Sequence, residues 1–288
     1  METIRDYLRL TKPGVTAGNV ITALAGYFLA TAEYGFDWNV FIGMFVGMVL
    51  VIGAACALNN YLDRDIDAKM TRTKSRPSVS AGLSPIGMQL FAGTLLFAGT
   101  LVLLLTTNVL TVFIGILGFV TYVWLYGAWA KRRSKYGMAV GAIPGALPIA
   151  GGYAAASGGV DLGLVLVFLV IFFWQFPEFY SINIYRRKEY KAAGIPVMPV
   201  VAGVRSTIIQ IFVFTVLYVL TSLAFTVLGY TGIIYFIIML LAGMYWLFVG
   251  YRGFVVKDKD KWARQMFKAS MYTILLLSLM LSIGALLP

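Results

Sequence analysis

Nine apolar stretches, each close to the roughly twenty residues that cross a bilayer as helix, divide the chain at 16–32, 38–60, 84–105, 109–130, 137–156, 162–185, 206–229, 232–254 and 266–287. At ~1.5 Å of rise per residue each spans the ~30 Å hydrocarbon core. The pattern predicts an all-α, polytopic membrane protein. Tight turns at Asn108, Ser157-Gly158-Gly159 and Gly229-Tyr230-Thr231-Gly232 alternate with charged connections. Two charged connections are long, 63–83 and 186–205, and follow the second and sixth spans, as a repeated four-helix unit would place them. Little remains for a soluble part, so residues 1–288 read as a single membrane-embedded domain.

Charge orients this array. All 23 Lys and Arg precede the first span or follow the second, fourth, sixth and eighth. By the positive-inside rule the N-terminus is expected in the cytoplasm and the C-terminus outside the cell membrane. The first dozen residues are polar and the first apolar stretch is of spanning length, so no signal peptide is expected. The net charge of +11 is dispersed over short loops, which argues against nucleic acid as a partner. The bilayer is one partner, and the cations leave room for a phosphorylated one. Histidine is absent and Cys56 is the only cysteine. Histidine as general base, zinc ligand or axial heme ligand, a cysteine metal site and a disulfide framework are therefore excluded. Trp38, Trp124, Trp129 and Trp246, near span ends, are expected in the interfacial belts.

The strongest local signal is the run Asn59-Asn60-Tyr61-Leu62-Asp63-Arg64-Asp65-Ile66-Asp67. Asn59, Asp63 and Asp67 recur every four residues. On a continued helix they form one oxygen-rich stripe, with Asp65 facing elsewhere. Clustered acids repel, and a hard divalent ion with oxygen ligands relieves that repulsion. Mg2+ prefers one or two carboxylates, water and substrate phosphate. Arg72, Lys74 and Arg76 follow within a short loop, and arginine forks match phosphate oxygens. The bland alternative is a set of acids that offsets neighbouring Lys and Arg at headgroup level. A second charged run, Arg186, Arg187, Lys188, Glu189 and Lys191, follows the sixth span. Inside that span Glu178, beside Pro177, is an acid at a depth where it must be protonated, paired or facing a cavity. Gln175, Glu178 and Tyr185 fall on roughly one helix face.

The run Asn59–Asp67, followed by Arg72-Thr73-Lys74-Ser75-Arg76-Pro77 and Gly82-Leu83-Ser84, resembles the first aspartate-rich signature of the UbiA superfamily of intramembrane prenyltransferases. The superfamily form is N-D-x-x-D-x-x-x-D, and Asn60 stands where many members have Asp. The resemblance extends to the protoheme IX farnesyltransferase (heme O synthase) branch. It is carried by Lys131-Arg132-Arg133-Ser134, Gly145-Ala146-Leu147-Pro148, Trp174-Gln175, Pro177, Phe179, Glu189-Tyr190, Ala193-Gly194-Ile195-Pro196 and Pro199-Val200-Val201. It implies a UbiA-like fold with nine transmembrane helices around a central cavity. It also implies transfer of a farnesyl group from farnesyl diphosphate to the vinyl group of heme b (protoheme IX).

Under this resemblance Asn59, Asp63 and Asp67 hold Mg2+, with Asp63, Asp67 and Glu189 as the catalytic acids. Arg72, Arg76, Lys131 and Lys191 hold the isoprenyl diphosphate. Glu178, Gln175 and Trp174 lie on the acceptor side. Tyr61, Tyr122, Tyr126 and Trp174 are candidates to stabilise an allylic cation. Two departures bear on the acceptor: Glu189 stands where the branch usually has Asp, and Glu178 where it typically has His. A quinone precursor or other hydrophobic lipid acceptor is the alternative. A transporter is the distant one, since transporters gather ionisable groups at mid-membrane rather than at a helix end. The D-G-x-x-A-R motif of CDP-alcohol phosphotransferases is absent.

Overall fold

The computed structural model describes residues 4–80 and 82–288. Among them nine helices are long and apolar enough to cross a membrane: α1 (Pro13–Tyr34), α2 (Trp38–Leu62), α3 (Pro85–Thr106), α4 (Val109–Arg133), α5 (Gly137–Ser157), α6 (Leu162–Tyr185), α7 (Gly203–Val227), α8 (Ile233–Val255) and α9 (Lys259–Leu286). The described residues contain no strand. Helix starts are set by local chemistry. The side chains of Asp37, Ser84, Asn108, Asp161 and Asp258 accept hydrogen bonds from backbone N–H groups in the first turns of α2, α3, α4, α6 and α9. These bonds satisfy donors that have no partner within the helix. Pro13 and Pro85 occupy first-turn positions, where a missing N–H costs nothing.

The last span begins earlier than hydropathy indicates. Residues 259–265 are helical although four of the seven are charged. Trp262, Ala263 and Met266 turn inward while Lys261 and Arg264 face out. The Trp262 indole N–H donates to the Val249 carbonyl at 2.8 Å, which ties α9 to α8. Trp246 departs from the interfacial expectation. It is fully buried and meets the Tyr218 ring edge-on at 5.1 Å. Trp38, Trp124 and Trp129 are exposed as expected.

Helices α1, α5, α6 and α9 pack each on the next and close a ring, α9 returning against α1. Helices α2, α3 and α4 cover one side of that ring, and α7 and α8 the other. Helix association in lipid relies on close packing, because lipid tails are as apolar as the helices. The seam between α1 and α5 shows this. A Cβ at Gly152 would lie 1.8 Å from the Ala23 carbonyl oxygen. Gly152→Val is therefore expected to force α1 and α5 apart and destabilise the protein by about 1–3 kcal/mol or more. Thermal unfolding in detergent reads this as a lowered midpoint, and an unchanged midpoint would contradict the packing described.

Candidate active site

The helix ring encloses a cavity of about 610 Å3. Asp63, Asp67, Arg72, Arg76 and Lys131 line its charged end. Trp174, Gln175 and Glu178 of α6 line its deeper wall, opposite Val15, Gly18 and Ile21 of α1. Met271, Ile274 and Leu275 of α9 complete an apolar flank.

The stripe forms as its spacing requires. Helix α2 ends at Leu62 and the chain continues through Asp63 into the short helix Arg64–Asp67. The Asp63 N–H donates to the Asn59 carbonyl at 2.9 Å and the Asp67 N–H to the Asp63 carbonyl at 2.8 Å, so the helical i to i+4 relation survives the junction. Asn59, Asp63 and Asp67 are 2%, 1% and 2% exposed, whereas the Asp65 side chain is 57% exposed. Asp65 pairs outside the cavity with Arg132 at 2.7 Å, and that guanidinium pulls its carboxyl down to about 2.

Each member of the stripe meets a cation. Lys131 Nζ lies 2.5 Å from Asp63 Oδ2, and Arg76 donates to Asp67 Oδ2 at 2.7 Å. Lys12 Nζ donates to Asn59 Oδ1 at 2.7 Å, and the Tyr122 hydroxyl reaches the same oxygen at 3.3 Å. Lys12 sits just before α1 with a left-handed backbone (φ 49°), which turns its side chain into the site. Burial pulls its ammonium down to about 8. Lys12 was not legible in the sequence, and Tyr122 was expected there only as a ring facing an allylic cation. Lys12 belongs to a run that topology alone explains, and it stands far from Asn59 along the chain.

A winding change in α4 positions the other wall. Residues Thr121–Ala130 adopt a π-helix, in which the Lys131 N–H bonds to the Tyr126 carbonyl five residues back. The wider turn keeps Tyr122, Tyr126 and Lys131, spaced by four and five, on the cavity side. The Tyr122 and Tyr126 rings stack at 6.0 Å.

On α6, Gln175 Nε2 donates to the Ala142 and Ile171 carbonyls, at 2.9 and 3.2 Å. A Cβ at Gly145 would lie 2.0 Å from Gln175 Oε1, so glycine makes room for this amide. The Trp174 indole N–H donates to the Ser270 carbonyl at 3.0 Å. Glu178 lines the cavity and makes no hydrogen bond or ion pair with another described residue. Tyr185, expected on the same face, instead lies beneath the Arg264 guanidinium at 4.5 Å.

The connection after α6 does face the stripe across the cavity, but through Tyr190, Ile195, Pro196 and Val197. Glu189 and Lys191 are not among the lining residues. Glu189 turns to Arg186 at 3.0 Å within the short helical stretch they share. Lys191 is exposed. Asn183, one turn from Phe179, lines the cavity and escaped notice because it lies in an apolar run.

The donor set favours a hard cation. Asp63 Oδ1 is buried without a hydrogen-bond partner, with the Arg132 guanidinium at 3.9 Å, and such an acceptor suits a cation ligand. Among the described residues no three acids or thiols gather at one point. A metal here would draw on the amide oxygen of Asn59, the carboxylates of Asp63 and Asp67, water and phosphate. The arrangement as a whole joins an anion-binding, oxygen-rich end to an apolar chamber.

Residues 19–274 match the model of the UbiA prenyltransferase family. The chain belongs to this family. It is thus a multi-pass membrane prenyltransferase. It is 42% identical over 281 residues to the protoheme IX farnesyltransferase of Chromohalobacter salexigens, covering 97% of this chain and 95% of that one. Solved structures agree on the fold. A digeranylgeranylglyceryl phosphate synthase superposes with a TM-score of 0.83 at 19% identity, over 99% of both chains. A UbiA homolog from Archaeoglobus fulgidus bound to GPP and Mg2+ superposes with a TM-score of 0.69 at 14% identity, over 96% of this chain and 99% of that one.

Proposed function

We propose that this UbiA prenyltransferase transfers a farnesyl group from farnesyl diphosphate to a vinyl group of protoheme IX, giving heme O. We further propose that it uses Mg2+ and works at the cytoplasmic face of the cell membrane. The observation that carries the reading is the buried Asn59–Asp63–Asp67 stripe, set among Lys12, Arg76 and Lys131 at the mouth of an apolar cavity. Such a mouth suits a diphosphate and such a chamber suits its isoprenyl chain. The farnesyltransferase relative, nearly full length, supports the donor and the acceptor.

Asn59, Asp63 and Asp67 would hold the metal. The chemistry a bound Mg2+ supplies is neutralisation of diphosphate oxygens. Lys131, Arg76 and Lys12 now bond to the stripe, and Arg72 lines the same mouth. When donor arrives these cations turn to its phosphate oxygens. They stabilise the charge that builds as the allylic C–O bond breaks and its electron pair leaves with diphosphate. The Tyr122 and Tyr126 faces stabilise the allylic cation without attacking it. The acceptor vinyl group attacks the farnesyl C1, and water adds at the neighbouring carbon to leave a hydroxyl. Glu178, unpaired on the acceptor wall, takes the proton that this water releases. Trp174 and Gln175 border the acceptor, held by their bonds to Ser270 and Ala142. Glu189 and Lys191 act outside this chamber, as a local ion pair and a surface charge.

One observation favours a second acceptor class. The chain has no histidine, and Glu178 stands on the acceptor wall. A quinone precursor or other lipid acceptor would then take the vinyl group's place.

The test is incubation of purified protein with Mg2+, farnesyl diphosphate and a panel of protoheme and aromatic acids, read by mass spectrometry. The expected product has the mass of heme O. Prenylation of an aromatic acid with protoheme untouched selects the second reading, and no diphosphate release with any acceptor overturns both. Glu178→Gln is expected to slow acceptor-dependent product formation about 10²-fold while farnesyl diphosphate still binds. Undiminished product formation would remove Glu178 from the proton step.

A further inference from the structure

The cavity carries a second group of polar side chains that the mechanism above does not use. Ser134 and Lys135, in the connection between α4 and α5, and Tyr180 and Asn183 of α6 line it together. Ser134 leaves the helix in extended backbone (φ −130°, ψ 133°). Lys135 therefore does not continue the helical row of Lys131, four residues before it, which meets Asp63. The Lys135 ammonium rests over the Tyr136 ring at 5.1 Å and makes no ion pair with a described acid.

The other three can all donate. Asn183 is 7% exposed, and its amide makes no hydrogen bond with another described residue. Tyr180 is 2% exposed, and its hydroxyl makes none either. Ser134 Oγ accepts the Tyr136 N–H at 3.1 Å, which leaves its own hydrogen to donate. Buried polar groups are ordinarily paired. An unpaired amide and an unpaired hydroxyl that face a cavity beside an unpaired cation call for an anionic acceptor. Glu178, the one acid of α6, does not supply it: it lies five residues deeper, ~7.5 Å along the helix axis, and makes no ion pair with Lys135. One ammonium and neutral donors, with no arginine fork, suit a carboxylate rather than a diphosphate.

We propose that Lys135, Ser134, Tyr180 and Asn183 form a subsite for a carboxylate of the prenyl acceptor. The inference rests on the prenyl-transfer reading above. Protoheme IX carries its two vinyl groups on one edge of the ring and two propionate carboxylates on the opposite edge. With a propionate held at this rim, the vinyl edge extends into the chamber toward Trp174 and Glu178, which lie deeper on α6. An aromatic acid has the same anchoring group, so the subsite serves either acceptor class. It also separates the two anions at the cavity mouth: diphosphate goes to the oxygen stripe and Lys131, and carboxylate to Lys135 and α6.

Esterification of the acceptor tests this. Protoheme and its dimethyl ester are supplied with Mg2+ and farnesyl diphosphate, and an aromatic acid and its methyl ester form a second arm. The parent protein is expected to favour the free acid about tenfold in kcat/KM, through KM, as loss of one charge-assisted bond at a solvated rim would give. The arm in which the preference appears names the acceptor class. Lys135→Met is expected to bring the acid-to-ester ratio close to one and to leave the KM for farnesyl diphosphate unchanged. Differences in ester solubility cancel between parent and variant. Arg133→Met removes the same charge from an exposed position outside the cavity lining and is expected to keep the parent's ratio. Thermal unfolding identifies any variant that fails to fold, and Asn183→Leu replaces Lys135→Met if needed. Equal use of acid and ester by the parent, or the parent's preference in folded Lys135→Met, overturns the subsite while leaving prenyl transfer standing. No prenylated product from the parent with any acceptor overturns the prenyl-transfer reading and the subsite together.

Discussion

Asp63→Asn is expected to lower turnover by about 10²–10³-fold, the cost of removing one charge-stabilising group from a preorganised site. The substitution keeps the shape of the side chain and one acceptor oxygen. It removes the negative charge that Lys131 now meets at 2.5 Å. It also replaces one carboxylate oxygen with an amide NH2, which cannot ligate a cation. Asp63 is 1% exposed, so solvent cannot substitute for the lost charge. The fold should survive, because the backbone bonds from Asp63 to Asn59 and from Asp67 to Asp63 do not involve the side chain. Diphosphate release and thermal unfolding, measured together, separate these effects. Wild-type release from a folded Asp63→Asn protein would show that the stripe is not the metal site.

Lys131→Met should have the second-largest effect, about 10²-fold on kcat/KM, because a buried charge-assisted contact to phosphate is lost. The ammonium stands at the end of the π-helical segment, facing Asp63. Methionine keeps most of the aliphatic stem, so the loss falls on charge rather than packing. The variant should require more donor to saturate and should still turn over at saturating donor, though more slowly. Arg132, next in sequence, is the control. It binds Asp65 and the Leu62 carbonyl and comes no nearer than 3.9 Å to Asp63 Oδ1, against 2.5 Å for Lys131 to Oδ2, and Arg132→Met is expected to change diphosphate release less. Equal losses in the two variants would mean that both cations serve only local structure.

The contrast between neighbouring cations shows what a sequence carries. The nine spans were legible because bilayer thickness fixes their length. The Asn59–Asp63–Asp67 stripe was legible because the i to i+4 relation is local, and it persists through the break after Leu62. Which basic residue turns inward was legible only in part. Lys131 and Arg132 are adjacent and alike, and the π-helical winding sends one to Asp63 and the other to Asp65. Nothing in the hydropathy of Thr121–Ala130 marks that winding. Lys12 was hidden for a related reason, because its approach to Asn59 depends on a left-handed backbone just ahead of Pro13. Glu189 and Lys191 share a charged run in which Glu189 Oε1 pairs with Arg186 three residues before it rather than lining the cavity.

The stripe as a metal–diphosphate site is tested most directly by Mn2+ electron paramagnetic resonance with farnesyl thiodiphosphate, an analogue that resists ionisation. The parent protein is expected to bind Mn2+ tightly only when the analogue is present, and Asp63→Asn and Asp67→Asn are each expected to abolish that signal. A bound-Mn2+ signal of full strength in both variants would place the metal elsewhere and remove the basis of the mechanism.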